Sequence, residues 1–236
     1  MTYLFDWVGP YGPTAWDDVP LRTPEPYGEH LRPLYNLQQD VARIDDLATT
    51  EPVDQWKSLW LDLARSLAGR VERFALVAGD GGNLAGVLRF LPKRYSLPRA
   101  GAWDPSAHGR DPGNDVLWLG AAAVDMRGYE ERLPLHLLDH VIDEARRLGF
   151  KRLQALAWSD VPVYALWGQS FPWMVYEAAG FRRIAETDGS QLQALPDMIA
   201  GHHGGLVRDL ASTQLESAGL TMAQAEAFAI VERCLS

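Results

Sequence analysis

The spacing of apolar residues in this chain changes period several times, and each change marks an element. In "EHLRPLYNLQQDVARIDDL", Leu31, Leu34, Leu37, Val41 and Ile44 stand three and four apart, which predicts one buried face of a helix. A second helix follows in "PVDQWKSLWLDLARSL", with Pro52 just inside its start and Gly69 just past its end. The runs "RFALVAGD" and "NLAGVLRFL" are β-like, and the "GDGGN" between them supplies residues that accept the positive φ of a hairpin turn. Next, "DVLWLGAAAV" reads as a buried strand and "LHLLDHVIDEARRLG" as a helix. In that helix Leu138, Val141, Ile142 and Ala145 form the core stripe, and Gly149 supplies the stop. "FKRLQALAW" is a further strand, and strand, helix, strand in that order implies a parallel pair.

The remaining segments are less periodic. Residues 1–30 are rich in Pro, Gly and aromatics and predict an irregular arm with one short strand around Leu4 to Val8. Beyond "FKRLQALAW" come a Trp/Pro-rich stretch, a short helix ending "WMVYEAAGF", a hairpin in "FRRIAETD" and "SQLQALP", and a polar, Ala-rich helical segment from about Asp197. The sum is an α/β (α+β) fold. Its sheet is mixed and mostly antiparallel, with a central parallel strand pair flanked by helices, plus a helical C-terminal extension. The boundaries divide the chain into an arm (1–20), a main domain (21–196) and the extension (197–236).

Composition narrows the chemistry. A chain of 236 residues with 47% hydrophobic content can bury a core without covalent staples. The single Cys234 excludes an internal disulfide framework and a thiol-rich zinc site, and a reducing cytoplasm is the simplest home. No basic leader and no apolar run of about 18 residues occurs, so neither secretion nor a membrane span is expected. Net charge is −9 with dispersed basic residues, which argues against nucleic acid as a partner. The C-terminal segment has apolar positions enough to pack on its own domain or on a second copy, which leaves a homodimer open.

Several local signatures fail on their own terms. "HLLDH" sets His136 and His140 four apart around Asp139 but offers no third metal ligand. "GQSFP" places Ser170 in a nucleophile elbow that lacks its second Gly, and "GDGGNLAG" is followed by a strand where a dinucleotide fingerprint needs a helix. "GHHGG" at 201–205 reads as a hinge.

Three stretches carry a family resemblance. "LGAAAVD", "LLDHVIDEARRLGFKRLQALAW" and "YEAAGF" (176–181) resemble the fourth strand, the third helix with fifth strand, and the Tyr-Glu-x-x-Gly-Phe ending of the GCN5-related N-acetyltransferases, the GNAT superfamily. The order of elements over roughly residues 20–196 resembles that family too. The resemblance implies transfer of an acetyl group from acetyl-CoA, or another acyl-CoA, to an amine of a small molecule or protein. It implies that Ala122, Ala123 and Val124 offer backbone to the pantetheine arm, and that Tyr176 protonates the departing thiolate. An Asn seven residues before that Tyr is usual; here the position is Gln169.

The family's phosphate signature, Gln/Arg-x-x-Gly-x-Gly/Ala, falls on Tyr129, Arg132 and Pro134, and matches at none of them. Pro134 has no N–H to give, and Glu130 and Glu131 put like charge where a diphosphate would lie. Arg127 and Arg132 can replace lost backbone donors by charge-assisted bonds, within a loop that continues through Leu133 and Leu135. Two further readings therefore stand beside the enzyme: a non-catalytic GNAT-like binding or regulatory module, and a shared fold with another ligand. For a general base, Asp45, Asp46, Asp115 and Asp125 are placed by location alone, and Tyr164, Trp167, Phe171 and Trp173 line an acceptor pocket or fill the core.

Overall fold

The computed structural model describes residues 2–9, 73–93, 115–158, 170–187, 213–217, 219 and 228–236. The two upstream helical patterns, the 98–114 loop, Gln169, "SQLQALP" and "GHHGG" lie outside the described residues. So do Asp45, Asp46, Tyr164 and Trp167.

Seven strands form one sheet: β1 Leu4–Val8, β2 Ala75–Asp80, β3 Asn83–Pro92, β4 Val116–Val124, β5 Arg152–Trp158, β6 Arg182–Thr187 and β7 Phe228–Cys234. Their spatial order is β1-β2-β3-β4-β5-β7-β6. Every neighbouring pair is antiparallel except β4 and β5, which are parallel. The hairpin turn between β2 and β3 sits on Gly81 and Gly82 at φ 60° and 90°, the left-handed geometry its sequence predicts.

Among the described residues three helices serve the sheet: α1 Met126–Glu130, α2 Leu133–Arg147 and α3 Trp173–Ala178. The stripe of α2 (Leu137, Leu138, Val141, Ile142, Ala145) packs with Leu88, Phe90, Leu117, Leu119, Leu153 and Ala155 of the sheet. Each fully buried Leu or Ile there contributes about 1.5 to 3 kcal/mol by leaving water. α2 ends as its sequence requires: Gly149 takes φ 80°, Phe150 donates its N–H to the Ala145 carbonyl and Gly149 to that of Arg146, both at 3.0 Å.

The opposite sheet face carries Leu91, Trp118 and Ile230. Across it runs a buried polar chain. Lys93 Nζ donates to Gln154 Oε1 at 2.6 Å, and Gln154 Nε2 donates to Glu232 Oε2 at 2.8 Å. Arg152 and Arg182 approach the same Glu232 carboxylate at 3.6 and 3.7 Å.

The C-terminal segment corrects an expectation. Residues 213–217 form a helical turn, but Phe228–Cys234 is a strand inside the sheet rather than part of a helical extension. It pairs with β5 from Arg152↔Cys234 to Trp158↔Phe228, and with β6 on its other edge. Both of its faces are covered, with Val231 in one core and Ile230 in the other. A strand buried on both faces shows no alternation of apolar and polar residues, so no period of two marks it in the sequence. β6, expected in a hairpin with the segment directly after it, has β7 as its described partner.

Candidate active site

The centre of the sheet is split. Pairing of β4 with β5 runs only from Val116↔Arg152 to Leu119↔Ala155, although β4 continues to Val124 and β5 to Trp158. The cause lies on the other edge of β4. There Leu88 faces Ala122 and Phe90 faces Leu119, so Gly120 and Ala121 together oppose the single residue Arg89. Such a bulge bends its strand. It falls where the ladder to β5 stops, so the upper halves of β4 and β5 are not paired with each other.

At the top of β4 the chain makes a tight, rigid corner. Asp125, buried, caps α1 by accepting the Gly128 N–H on Oδ1 at 2.6 Å. Gly128 is required by space: a Cβ there would lie 2.4 Å from Val124 Cγ1 and 2.9 Å from Asp125 Oδ1. After α1, Arg132 adopts φ 61°, the sole left-handed non-glycine among the described residues. Glycine takes that geometry without strain, whereas the Arg132 Cβ does not.

The loop's backbone donors are largely used internally. Glu131 N–H goes to the Arg127 carbonyl at 3.0 Å, Arg132 N–H to Tyr129 at 3.1 Å and Leu135 N–H to Arg132 at 3.0 Å. Leu133 and Pro134 are buried and Leu135 is half-buried. The Arg127 guanidinium donates to Glu131 Oε1 at 3.0 Å and stands 4.0 Å from Asp80. A hydrogen bond with Tyr3, opposed next by burial and then aided by the Arg127 guanidinium, holds the Glu131 carboxyl below the usual carboxylate range. Arg132 is exposed.

Tyr129 turns away from the loop. Its ring meets Phe171 edge-on at 6.5 Å; Phe171 touches Tyr176 at 5.9 Å, and Tyr176 meets Phe181 edge-on at 5.2 Å. This row of rings joins the corner after β4 to α3. Tyr176 is fully buried. Burial pushes its phenol up to about 12, opposed by hydrogen bonding with Ser170 and with the Phe171 backbone. Burial, and then repulsion by Tyr176, raise the Tyr129 phenol as well.

The spacing of "YEAAGF" has a structural reason. Gly180 at φ 79° ends α3, Phe181 returns its N–H to the Tyr176 carbonyl at 2.9 Å, and Gly180 bonds Glu177 at 2.8 Å. Ser170 Oγ meanwhile donates to the Leu156 carbonyl and lies 3.4 Å from the Tyr176 hydroxyl. Leu156 is the first residue of β5 beyond its last pair with β4. The Tyr176 hydroxyl is thus two hydrogen bonds from the point where the β4–β5 ladder ends.

Among residues named from sequence, Ala122, Ala123 and Val124 lie buried on the half of β4 beyond its ladder to β5, and Arg127, Tyr129, Arg132, Leu133, Pro134 and Leu135 form the corner beside it. Phe171 is core rather than pocket lining, and Trp173 stacks under Arg183 at 4.1 Å. Asp125 is occupied as a cap, and Asp115 bonds Arg152 at 2.8 Å at the far end of β4. His136 and His140 are exposed, with the His140 ring 4.6 Å from Phe5. Gly128 and Ser170 were not legible as site residues. One is a lone glycine in a charged loop and the other an incomplete elbow.

No family model and no curated protein matches the chain. Solved structures similar to it are GNAT acetyltransferases. An acetyltransferase of the GNAT family from Streptococcus pneumoniae is 11% identical, with 100% of each chain covered and a TM-score of 0.49. A phosphinothricin acetyltransferase of the GNAT superfamily from Sinorhizobium meliloti, in complex with acetyl-CoA, is 12% identical, with 100% of this chain and 90% of that chain covered and a TM-score of 0.49. A putative acetyltransferase from Salmonella typhimurium with its cofactor acetyl-CoA is 14% identical, with coverage of 100% and 95% and a TM-score of 0.48. At these identities no residue's role passes from those proteins to this chain. No helix among the described residues is long and apolar enough to cross a membrane.

Proposed function

We propose that the chain is a GNAT-type N-acetyltransferase that takes acetyl-CoA as donor and an amine as acceptor. The observation that carries this reading is the Ser170 link between the Tyr176 hydroxyl and the first residue of β5 beyond its ladder to β4. On this reading a proton donor stands near the unpaired strand edges, which receive an extended, amide-bearing arm. Ala122, Ala123 and Val124 offer that arm backbone groups in the manner of an added strand. Acetyl-CoA supplies an activated thioester. The chain supplies position: an amine held against the thioester reacts faster because its approach is already ordered. Tyr176, protonated at any physiological pH, gives its proton to the thiolate sulfur as the C–S bond breaks. The diphosphate falls to the corner after β4, where Arg132 is exposed, Arg127 can leave Glu131, and the N-terminus of α2 favours an anion by about 0.3 to 1 kcal/mol.

The test is calorimetric titration with acetyl-CoA, followed by acetylation assays over a panel of small-molecule and peptide amines. Tyr176→Phe should lower kcat far more than it weakens acetyl-CoA binding. Unchanged turnover in Tyr176→Phe removes the tyrosine from the mechanism.

A second reading, a non-catalytic GNAT-like module, is favoured by the same corner. Its N–H groups serve loop carbonyls, Pro134 has none, and Arg127 is held by Glu131. Saturable turnover of acetyl-CoA with any amine ends that reading. No binding by the parent chain, with binding gained in Pro134→Gly, establishes it.

A further inference from the structure

We propose that Ser170 is a positioning residue for Tyr176, tying the phenol to the backbone of β5 and receiving the phenolate when the proton leaves. This rests on the acetyl-transfer reading and extends it to a residue outside the family signature.

A serine hydroxyl has one proton and two lone pairs. Ser170 is buried, and its proton is committed to the Leu156 carbonyl, so a lone pair faces Tyr176. The phenol therefore donates to Ser170 at rest. At 3.4 Å that bond is long for O–H···O, and the phenol proton is free to turn toward another acceptor. The anchor, by contrast, is rigid. Leu156 belongs to a strand locked to β7 by the register Leu156↔Ile230, so Ser170 refers the tyrosine's position to the sheet rather than to α3 alone.

The same geometry balances the chemistry. The amine nitrogen bonds the acetyl carbon, the C–S bond breaks, and the phenol proton goes to sulfur. The nitrogen's surplus proton goes to solvent. Ser170 then turns its O–H from the Leu156 carbonyl to the phenolate, where the Phe171 N–H already points. Solvent returns a proton to the phenolate before the next turnover. The Tyr129 hydroxyl, a titratable group near Tyr176 among the described residues, is neutral and adds no compensating charge.

The experiment has two arms. In the first, the full chain carries 2,3,5-trifluorotyrosine at position 176 and is titrated by fluorine NMR. Ser170→Ala should raise the fluorophenol pKa, and Ser170→Thr should leave it near the parent value. No shift in Ser170→Ala overturns the proposal.

In the second arm, acetylation is measured on the native side chain. Ser170→Ala should lower kcat by roughly 10- to 100-fold, as small misplacements of a reacting group do, with KM for acetyl-CoA changed less than about twofold. Ser170→Thr should recover most of the loss. In a Tyr176→Phe background, Ser170→Ala should change kcat by less than about twofold, because the partner it serves is gone. Equal losses in both backgrounds mean that Ser170 only supports the fold, and overturn the proposal. If the parent chain turns over no amine while the fluorine shift is present, the acetyl-transfer reading falls and takes the catalytic service of Ser170 with it.

Discussion

The Phe181 N–H donates to the Tyr176 carbonyl at 2.9 Å, across the left-handed Gly180 that ends α3. The candidate proton donor is thereby fixed by a helix cap on its backbone side and by Ser170 on its hydroxyl side. Gly180→Ala meets only ordinary contacts, the nearest being Arg233 at 3.7 Å, so its effect isolates the backbone strain. It should destabilise the protein by about 1 to 2 kcal/mol, read as a lower urea midpoint at unchanged slope.

Arg132 invites the opposite change. Its φ of 61° costs about 1 to 2 kcal/mol in a residue with a Cβ, and glycine removes that strain while adding about 0.4 to 1 kcal/mol of unfolded-state entropy. Arg132→Gly should therefore raise the urea midpoint slightly. If Arg132 holds a phosphate, the same variant should bind acetyl-CoA more weakly in calorimetry despite its greater stability.

Gly128 should tolerate nothing larger. A Cβ at 2.4 Å from Val124 Cγ1 must displace either β4 or the Asp125 cap. Gly128→Ala should lose about 1 to 3 kcal/mol by overpacking, again measured by denaturation, and acetyl-CoA affinity should fall with the corner's geometry.

The buried phenols predict an alkaline limit. Tyr176 titrates near 12 when folded and near 10 when unfolded, and Tyr129 is raised too. Between those values the unfolded state has released protons that the native state still holds, so stability falls as pH rises through that window. Stability should be flat with respect to these groups below about pH 10, then decline. Tyr176→Phe should flatten the decline in thermal melts taken from pH 9 to 11.5.

Removing residues 228–236 should abolish cooperative folding. The cut takes away β7, which pairs with β5 and β6 on its two edges, along with Glu232, the end of the buried polar chain. Near-UV circular dichroism should be lost, and the truncated chain should bind no acetyl-CoA.

Local signals determined much of this molecule. The β2–β3 turn glycines, the apolar stripe of α2 with its Gly149 stop, and the strand, helix, strand order that makes β4 and β5 parallel are all consequences of short-range chemistry: positive φ, helical period and crossover handedness. "YEAAGF" encodes its own cap. What the sequence left undecided depends on partners distant in the chain. β7 became a strand because β5 and β6 present two open edges 41 or more residues upstream of where they are met, a tertiary demand that overrides Ala-rich helix propensity. The β4–β5 ladder ends where Gly120 and Ala121 share one partner on β3, a register that no spacing within β4 reveals. Gly128 and Ser170 likewise acquire their meaning from contacts, with Val124 below one and Leu156 and Tyr176 around the other, that form only when the sheet has brought those atoms together.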